Sequence, residues 1–189
     1  MPRTLLTHYV PPRPAPARPL ATLLLALLCS AAAVPAAWAA ERLSAAREIE
    51  QTWRRGETAL ATERLAQALA QRPDDAELRF LHGVMLSETG RGAEARGQFE
   101  RLTQDFPELP EPYNNLAVLL AAGGELDQAR ALLETALRMD PSYRTAQENL
   151  GDVYVRLARR AYKAAAAGTR GEPALLAKLR LARELAAPR

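Results

Sequence analysis

Over most of this chain the apolar residues fall at helical rather than strand spacing. Ala61 and Leu65, Ala95 and Phe99, and Ala129 and Leu133 are each four positions apart, one helical turn, so each pair shares a face. Successive pairs are 34 residues apart, and other columns keep the same interval. Gly56, Gly90 and Gly124 fall in register, as do Pro73, Pro107 and Pro141, while Ala68, Leu102 and Ala136 make a further apolar column. A lone amphipathic helix has no reason to hold such an interval, so the pattern predicts a repeated supersecondary unit.

Each column has a mechanical role. Glycine predicts a left-handed residue where a first helix ends and the chain reverses. The small Ala one turn before the bulky residue lets two helices approach closely. Proline cannot extend the second helix and closes the unit. The unit is therefore helix, tight turn, antiparallel helix, in rows 42–75, 76–109 and 110–143. The fourth row starts in register as "RTAQENLGDVYVRLARRAYKAAAAG", but Ala158 stands where the turn glycine belongs. Nothing from Ala146 to Ala167 stops a helix, so one long helix is expected in a divergent row, 144–167. Gly168 to Gly171 interrupt it, and Pro173 suits the first turn of an amphipathic helix in "PALLAKLRLARELAA". Residues 168–189 are read as a linker and a C-terminal capping helix over an otherwise open apolar face.

The N-terminal pattern differs. A positively charged, acid-free, proline-rich stretch (1–19) precedes an uncharged apolar core (20–34), and Ala37-Trp38-Ala39 supplies a small-x-small pair. This order predicts a secretory signal peptide over 1–39, cleaved near Ala39. The alternative is an uncleaved membrane anchor, since Leu20 to Ala40 is 21 residues without a charge. Cys29 is the single cysteine, and Leu28 before it argues against lipidation. Cleavage leaves a cysteine-free chain, whose stability must come from helix packing.

Charge changes the picture only by its location. The net charge of +3 comes from Arg3, Arg13 and Arg18 in the leader; the rest holds 22 basic and 22 acidic side chains. A formally neutral domain has no net field for phosphate backbones, so nucleic acid is not an expected partner. Only Lys163 and Lys178 among 25 basic residues are lysine, a bias associated with GC-rich bacterial genomes.

The rows resemble the tetratricopeptide repeat (TPR) family. Its small first-helix residue appears as Gly83, Ala117 and Gly151, with Leu116 and Leu120, then Leu150 and Tyr154, around it. "YNNLAVLLAAGGELDQARALLETALRMDP" follows the family pattern along its length; row two carries His82 for the usual Leu, and row one places Ile49 where a small residue belongs. That departure implies imperfect packing or a starting cap. The resemblance covers about residues 42–160. It implies an all-α fold, an antiparallel helix-pair α-solenoid (a TPR superhelix) with first helices lining a concave groove. The groove positions that follow are Glu77, Phe80 and Val84 in row two; Glu111, Asn114, Asn115 and Val118 in row three; and Glu148, Asn149 and Asp152 in row four. Acids interleave with apolar residues there, which suits an extended or helical peptide with apolar anchors and basic side chains. Asn115 and Asn149 either hold a peptide backbone through their amides or are simply residues common at that position. The family's Lys/Asn/Arg clamp for a terminal carboxylate has almost no positive charge at its positions here.

Little chemistry is available beyond binding. Outside the leader His82 is the single histidine, at a position expected to pack, so no metal site and no cofactor are expected. Ser44, Ser87 and Ser142 lie in no nucleophile motif, and "TGRGAE" is neither a phosphate loop nor a dinucleotide fingerprint. The sequence thus predicts a non-enzymatic protein–protein interaction module, a scaffold or adaptor of the bacterial cell envelope, exported to the periplasm. The alternatives are a self-assembling or membrane-anchored structural subunit of an envelope complex and, more remotely, an accessory subunit regulating an enzyme.

Overall fold

The computed structural model describes residues 36–167 and 172–187. The expectations for residues 1–35, and the helix break at Gly168 to Gly171, lie outside the described residues. Among the described residues every regular element is an α-helix: α1 Ala36–Arg54, α2 Thr58–Gln71, α3 Ala76–Glu88, α4 Gly92–Asp105, α5 Pro110–Ala122, α6 Leu126–Met139, α7 Arg144–Ala167 and α8 Pro173–Leu185. None of them is long and apolar enough to cross a membrane.

The glycine column produces the same turn three times. Gly56, Gly90 and Gly124 have φ of +83°, +78° and +88°, the left-handed region that a Cβ disfavours. Around each, the same two backbone bonds close the first helix. Gly56 N–H donates to Trp53 O and Glu57 N–H to Thr52 O; Gly90 and Arg91 bond to Ser87 and Leu86; Gly124 and Glu125 bond to Ala121 and Leu120. This is the Schellman arrangement, which satisfies carbonyls that a helix end would otherwise leave open. The second helices also end alike: Arg72, Phe106 and Asp140 donate to Ala68, Leu102 and Ala136 at 2.9 Å. The next residue each time is Pro73, Pro107 or Pro141, which has no N–H to continue the ladder.

By its contacts the chain divides into two compact units, one taking in the described residues up to Leu81 and the other those from His82 onward. In the first, α1 packs on α2. Ala46, Ile49 and Thr52 of α1 are buried, as are Ala61 and Leu65 of α2. Thr52 Oγ1 donates to Glu48 O at 2.8 Å, and Arg64 Nη1 of α2 donates back to it at 3.4 Å. Ile49, whose place in the small-residue column implied imperfect packing or a starting cap, is 4% exposed. The bulky column carries Leu65 in that row, where row two carries Phe99.

In the second unit a small residue meets an aromatic one. Gly83 of α3 lies so close to Phe99 of α4 that a Cβ would fall 2.7 Å from ring Cε1. Ala117 and Leu133 fill the same columns in α5 and α6, both fully buried. Helices then pack in chain order: α4 on α5, α5 on α6, α6 on α7 and α7 on α8, with α5 also touching α7. The 24-residue α7 runs on through the missing turn and stays against α6. Tyr154 hydroxyl donates to Glu134 Oε1 at 3.2 Å, and Arg160 Nη2 donates to both Asp127 oxygens, at 2.9 and 3.1 Å. Gly151 is exposed, and a Cβ there would meet nothing within 4 Å. Helix α8 buries Leu179 and Ala182, yet leaves Leu176, Leu181 and Leu185 from 49% to 63% exposed.

Candidate functional site

In the second unit four of the predicted groove residues lie on α5 at helical spacing. Glu111, Asn114, Asn115 and Val118 occupy positions i, i+3, i+4 and i+7. Asn114 and Asn115 are 4% and 8% exposed, and Glu111 and Val118 are partly buried. Asn115 Nδ2 donates to the Glu111 backbone carbonyl at 3.0 Å, which holds its amide against the first turn. From α7, Asn149 Nδ2 donates to Asn114 Oδ1 at 2.8 Å. That bond joins the first helices of rows three and four. The amides read as peptide holders thus already have one donor engaged within the protein.

The other α7 residues stand out in solvent. Glu148 and Asp152 are exposed, and Glu148 accepts a long hydrogen bond from Arg144 of its own helix at 3.4 Å. Val84 of α3 is buried. Two further predicted residues, Glu77 and Phe80, belong to the first unit; Phe80 is buried and Glu77 partly so.

Glu111 has the most unusual surroundings of this set. Its Oε2 is shielded from solvent and accepts no hydrogen bond. Burial pushes its carboxyl above the ordinary carboxylate range, its own backbone N–H pulls the other way, and Asp140 adds to the rise. Tyr143 is buried nearby, and its phenol is pushed up by burial first and then by Glu111 and Asp140. Sequence reasoning did not single out Asp140 or Tyr143. The available signal was an aromatic at the last position of row three, where rows one and two carry Asp75 and Leu109.

Glu77 repeats the condition of Glu111 in its own unit. It fills the same column, 34 residues earlier, and its Oε1 is likewise shielded and without a hydrogen bond. Burial raises its carboxyl first and Asp75 next; Arg47 and Arg72 oppose the rise and Glu50 adds to it. Arg72 is bonded instead to Asp75 Oδ2 at 3.2 Å, and the other Asp75 oxygen accepts from Glu77 N–H and Leu78 N–H at the start of α3.

His82 packs between helices. Gln98 Nε2 of α4 lies 2.8 Å from its Nδ1, so the amide donates and the ring proton sits on Nε2. Burial lowers its pKa, Arg91 and Arg101 lower it further, and Glu94 opposes them. Both effects favour the neutral ring. Among the described residues no three His, Cys, Asp or Glu side chains gather where they could hold a metal ion.

Two family models, each described as a tetratricopeptide repeat, match residues 50–110 and 86–150. Together they span more than half of the chain. Among solved structures, the first TPR domain of human RPAP3 superposes with a TM-score of 0.56 at 15% identity, over 62% of this chain and 92% of that one. The first TPR of Spaghetti (RPAP3), bound to an HSP90 peptide, gives 0.56 at 15% identity, over 62% and 93%. An O-GlcNAc transferase mutant from Thermobaculum terrenum gives 0.56 at 25% identity, over 64% of this chain but 23% of that one. With one glycine turn recurring inside three rows, a close helix approach at Gly83 and repeat models matching across residues 50–150, this chain belongs to the tetratricopeptide repeat family.

Proposed function

We propose that this protein is a non-catalytic interaction module, a scaffold or adaptor of the bacterial cell envelope that holds a partner polypeptide on the first helices of its repeats. The observation that carries the reading is the α5–α7 surface of the second unit. There a partly buried carboxylate with an unbonded oxygen, two asparagines joined across helices and the partly buried Val118 lie beside exposed acids. A surface with polar groups left open and apolar groups between them suits a chain that brings both kinds of contact. A peptide-bound neighbour of the same fold, the Spaghetti repeat, is consistent with this use, although its likeness extends to the fold alone.

Export rests on the leader: a basic, acid-free start, an uncharged core and Ala37-Trp38-Ala39. The periplasm is the proposed site of action. Photo-crosslinking in the native envelope, followed by mass spectrometry, tests both parts. A partner polypeptide attached at α5 or α7 supports the reading, whereas a cytoplasmic partner sinks the localisation. The N-terminal residue of the isolated protein separates a cleaved signal from a retained anchor.

A second reading has one observation in its favour. The exposed Leu176, Leu181 and Leu185 of α8 suit self-association into a structural subunit. Light scattering separates the two: a monomer at all concentrations favours the adaptor, and a stable oligomer dispersed by Leu181→Glu with Leu185→Glu favours assembly.

A further inference from the structure

Among the described residues the acids are partnered unevenly. Glu94 bonds Arg91, Glu100 and Glu125 both bond Arg96, Asp127 bonds Arg160, and the more enclosed Glu50 and Asp75 bond Arg54 and Arg72. Such pairs contribute little in water. Glu77 Oε1 and Glu111 Oε2, shielded from solvent and most in need of a donor, accept none. Both occupy one repeat position, so the same costly arrangement arises independently in each unit. Neither residue is fully enclosed. Rotation about the last side-chain torsion, which is soft in Glu, exchanges the two oxygens.

We infer that Glu111 is a subsite for one Lys or Arg side chain of a bound polypeptide; Glu77 differs in that Arg47 and Arg72 already act on it. This inference rests on the peptide-binding reading above and gives the partner its chemistry. A cationic side chain supplies the missing donors and neutralises the group in one contact. The charge acting on Glu111 is that of Asp140, its own backbone opposes it, and among the described residues no cation acts on it. The α5 spacing sets the rest of the ligand. Asn115 is four residues along α5 from Glu111, about 6 Å, and Val118 is seven along, about 10 Å. An extended peptide advances about 3.3 Å per residue. The expected ligand therefore carries a basic residue about three places from an apolar one, with its backbone near Asn115 and Asn149 between them.

The test is selection from a random-peptide phage library on the purified chain, followed by fluorescence-polarisation titration of the best peptide. The peptide is compared with a copy whose basic residue is norleucine, on wild type and on Glu111→Gln. The expected result is a basic residue about three places from an apolar one. Glu111→Gln is then expected to weaken the basic peptide about tenfold, the factor a charge-assisted hydrogen bond supplies, and to leave the norleucine copy unchanged. Because Gln removes a poorly solvated charge, the variant melts at or above the wild-type temperature, so lost binding is not lost folding. Peptides that lack a basic residue, or bind Glu111→Gln as well as wild type, while Val118→Glu and Asp152→Lys weaken them, overturn this subsite and leave the groove reading standing. No selected peptide, or binding indifferent to all three substitutions, overturns the groove reading and the subsite together.

Discussion

Replacing Gly83 with Ala tests the close approach that defines a repeat, because the chain supplies its own control. A Cβ at Gly83 falls 2.7 Å from Phe99 Cε1, 2.8 Å from Cζ and 3.2 Å from Cδ1. Carbon atoms in ordinary contact stand about 3.5–4 Å apart, so the helices must separate or the ring must move by about 1 Å. The ring cannot swing outward, since Phe99 is 1% exposed. Such overpacking costs about 1–3 kcal/mol, while exchanging Gly for Ala inside a helix gains about 1 kcal/mol. Gly83→Ala is therefore expected to destabilise by about 1 kcal/mol. Gly151 occupies the same column in α7 with nothing within 4 Å, so Gly151→Ala keeps the gain and stabilises by about 1 kcal/mol. In a Phe99→Leu background, which copies Leu65 and Leu133, Gly83→Ala should become neutral or stabilising. Urea unfolding followed by circular dichroism measures all four variants, fitted with coupled repeats rather than a single transition. The reasoning fails if Gly83→Ala stabilises as much as Gly151→Ala, or if Phe99→Leu leaves its effect unchanged.

Three further outcomes are expected. Gly124→Ala forces a Cβ into φ of +88° and should cost about 1–2 kcal/mol in the same assay, although nothing crowds the position. The raised Glu111 carboxyl binds its proton more tightly folded than unfolded, so it lowers stability as pH rises from the ordinary value of 4.5 through its folded value. Glu111→Gln, in the setting of Asp140 and Tyr143, should remove that decline; an unchanged pH profile between acid and neutral would contradict the burial argument. His82 acts with the opposite sign: its pKa is lowered by burial, so its contribution is complete above 6.5 and is lost as pH falls through the folded value. His82→Leu should flatten the profile on that side, read from thermal melts across the same pH series.

The parts of the fold most legible in the sequence were those in which one residue sets one local conformation. Gly56, Gly90 and Gly124 had to be left-handed, and Pro73, Pro107 and Pro141 had to follow a helix end. The absence of any stop between Ala146 and Ala167 is met by a single α7 through that stretch. Ile49 was harder to judge, because its burial depends on packing between helices rather than on local conformation. The surface was less legible still. Helical spacing put Glu111, Asn114, Asn115 and Val118 on one face, but the Asn149–Asn114 bond depends on how α7 stacks on α5. The nearness of Tyr143 and Asp140 to Glu111 depends on how one row ends against another. Helix α8 reads as amphipathic, yet it is apolar on more than one side: Leu179 and Ala182 go inward while Leu181 and Leu185 remain outside.

The account's central claim is that a partner polypeptide occupies the first helices of the repeats. Photo-crosslinking residues placed at Val118 of α5 and Asp152 of α7, and for comparison at the exposed Ala131 of α6, measure it in the native envelope. Adducts to one foreign polypeptide from Val118 and Asp152, and none from Ala131, are the predicted result. Adducts from Ala131 alone, or only to a second copy of this chain, would contradict it.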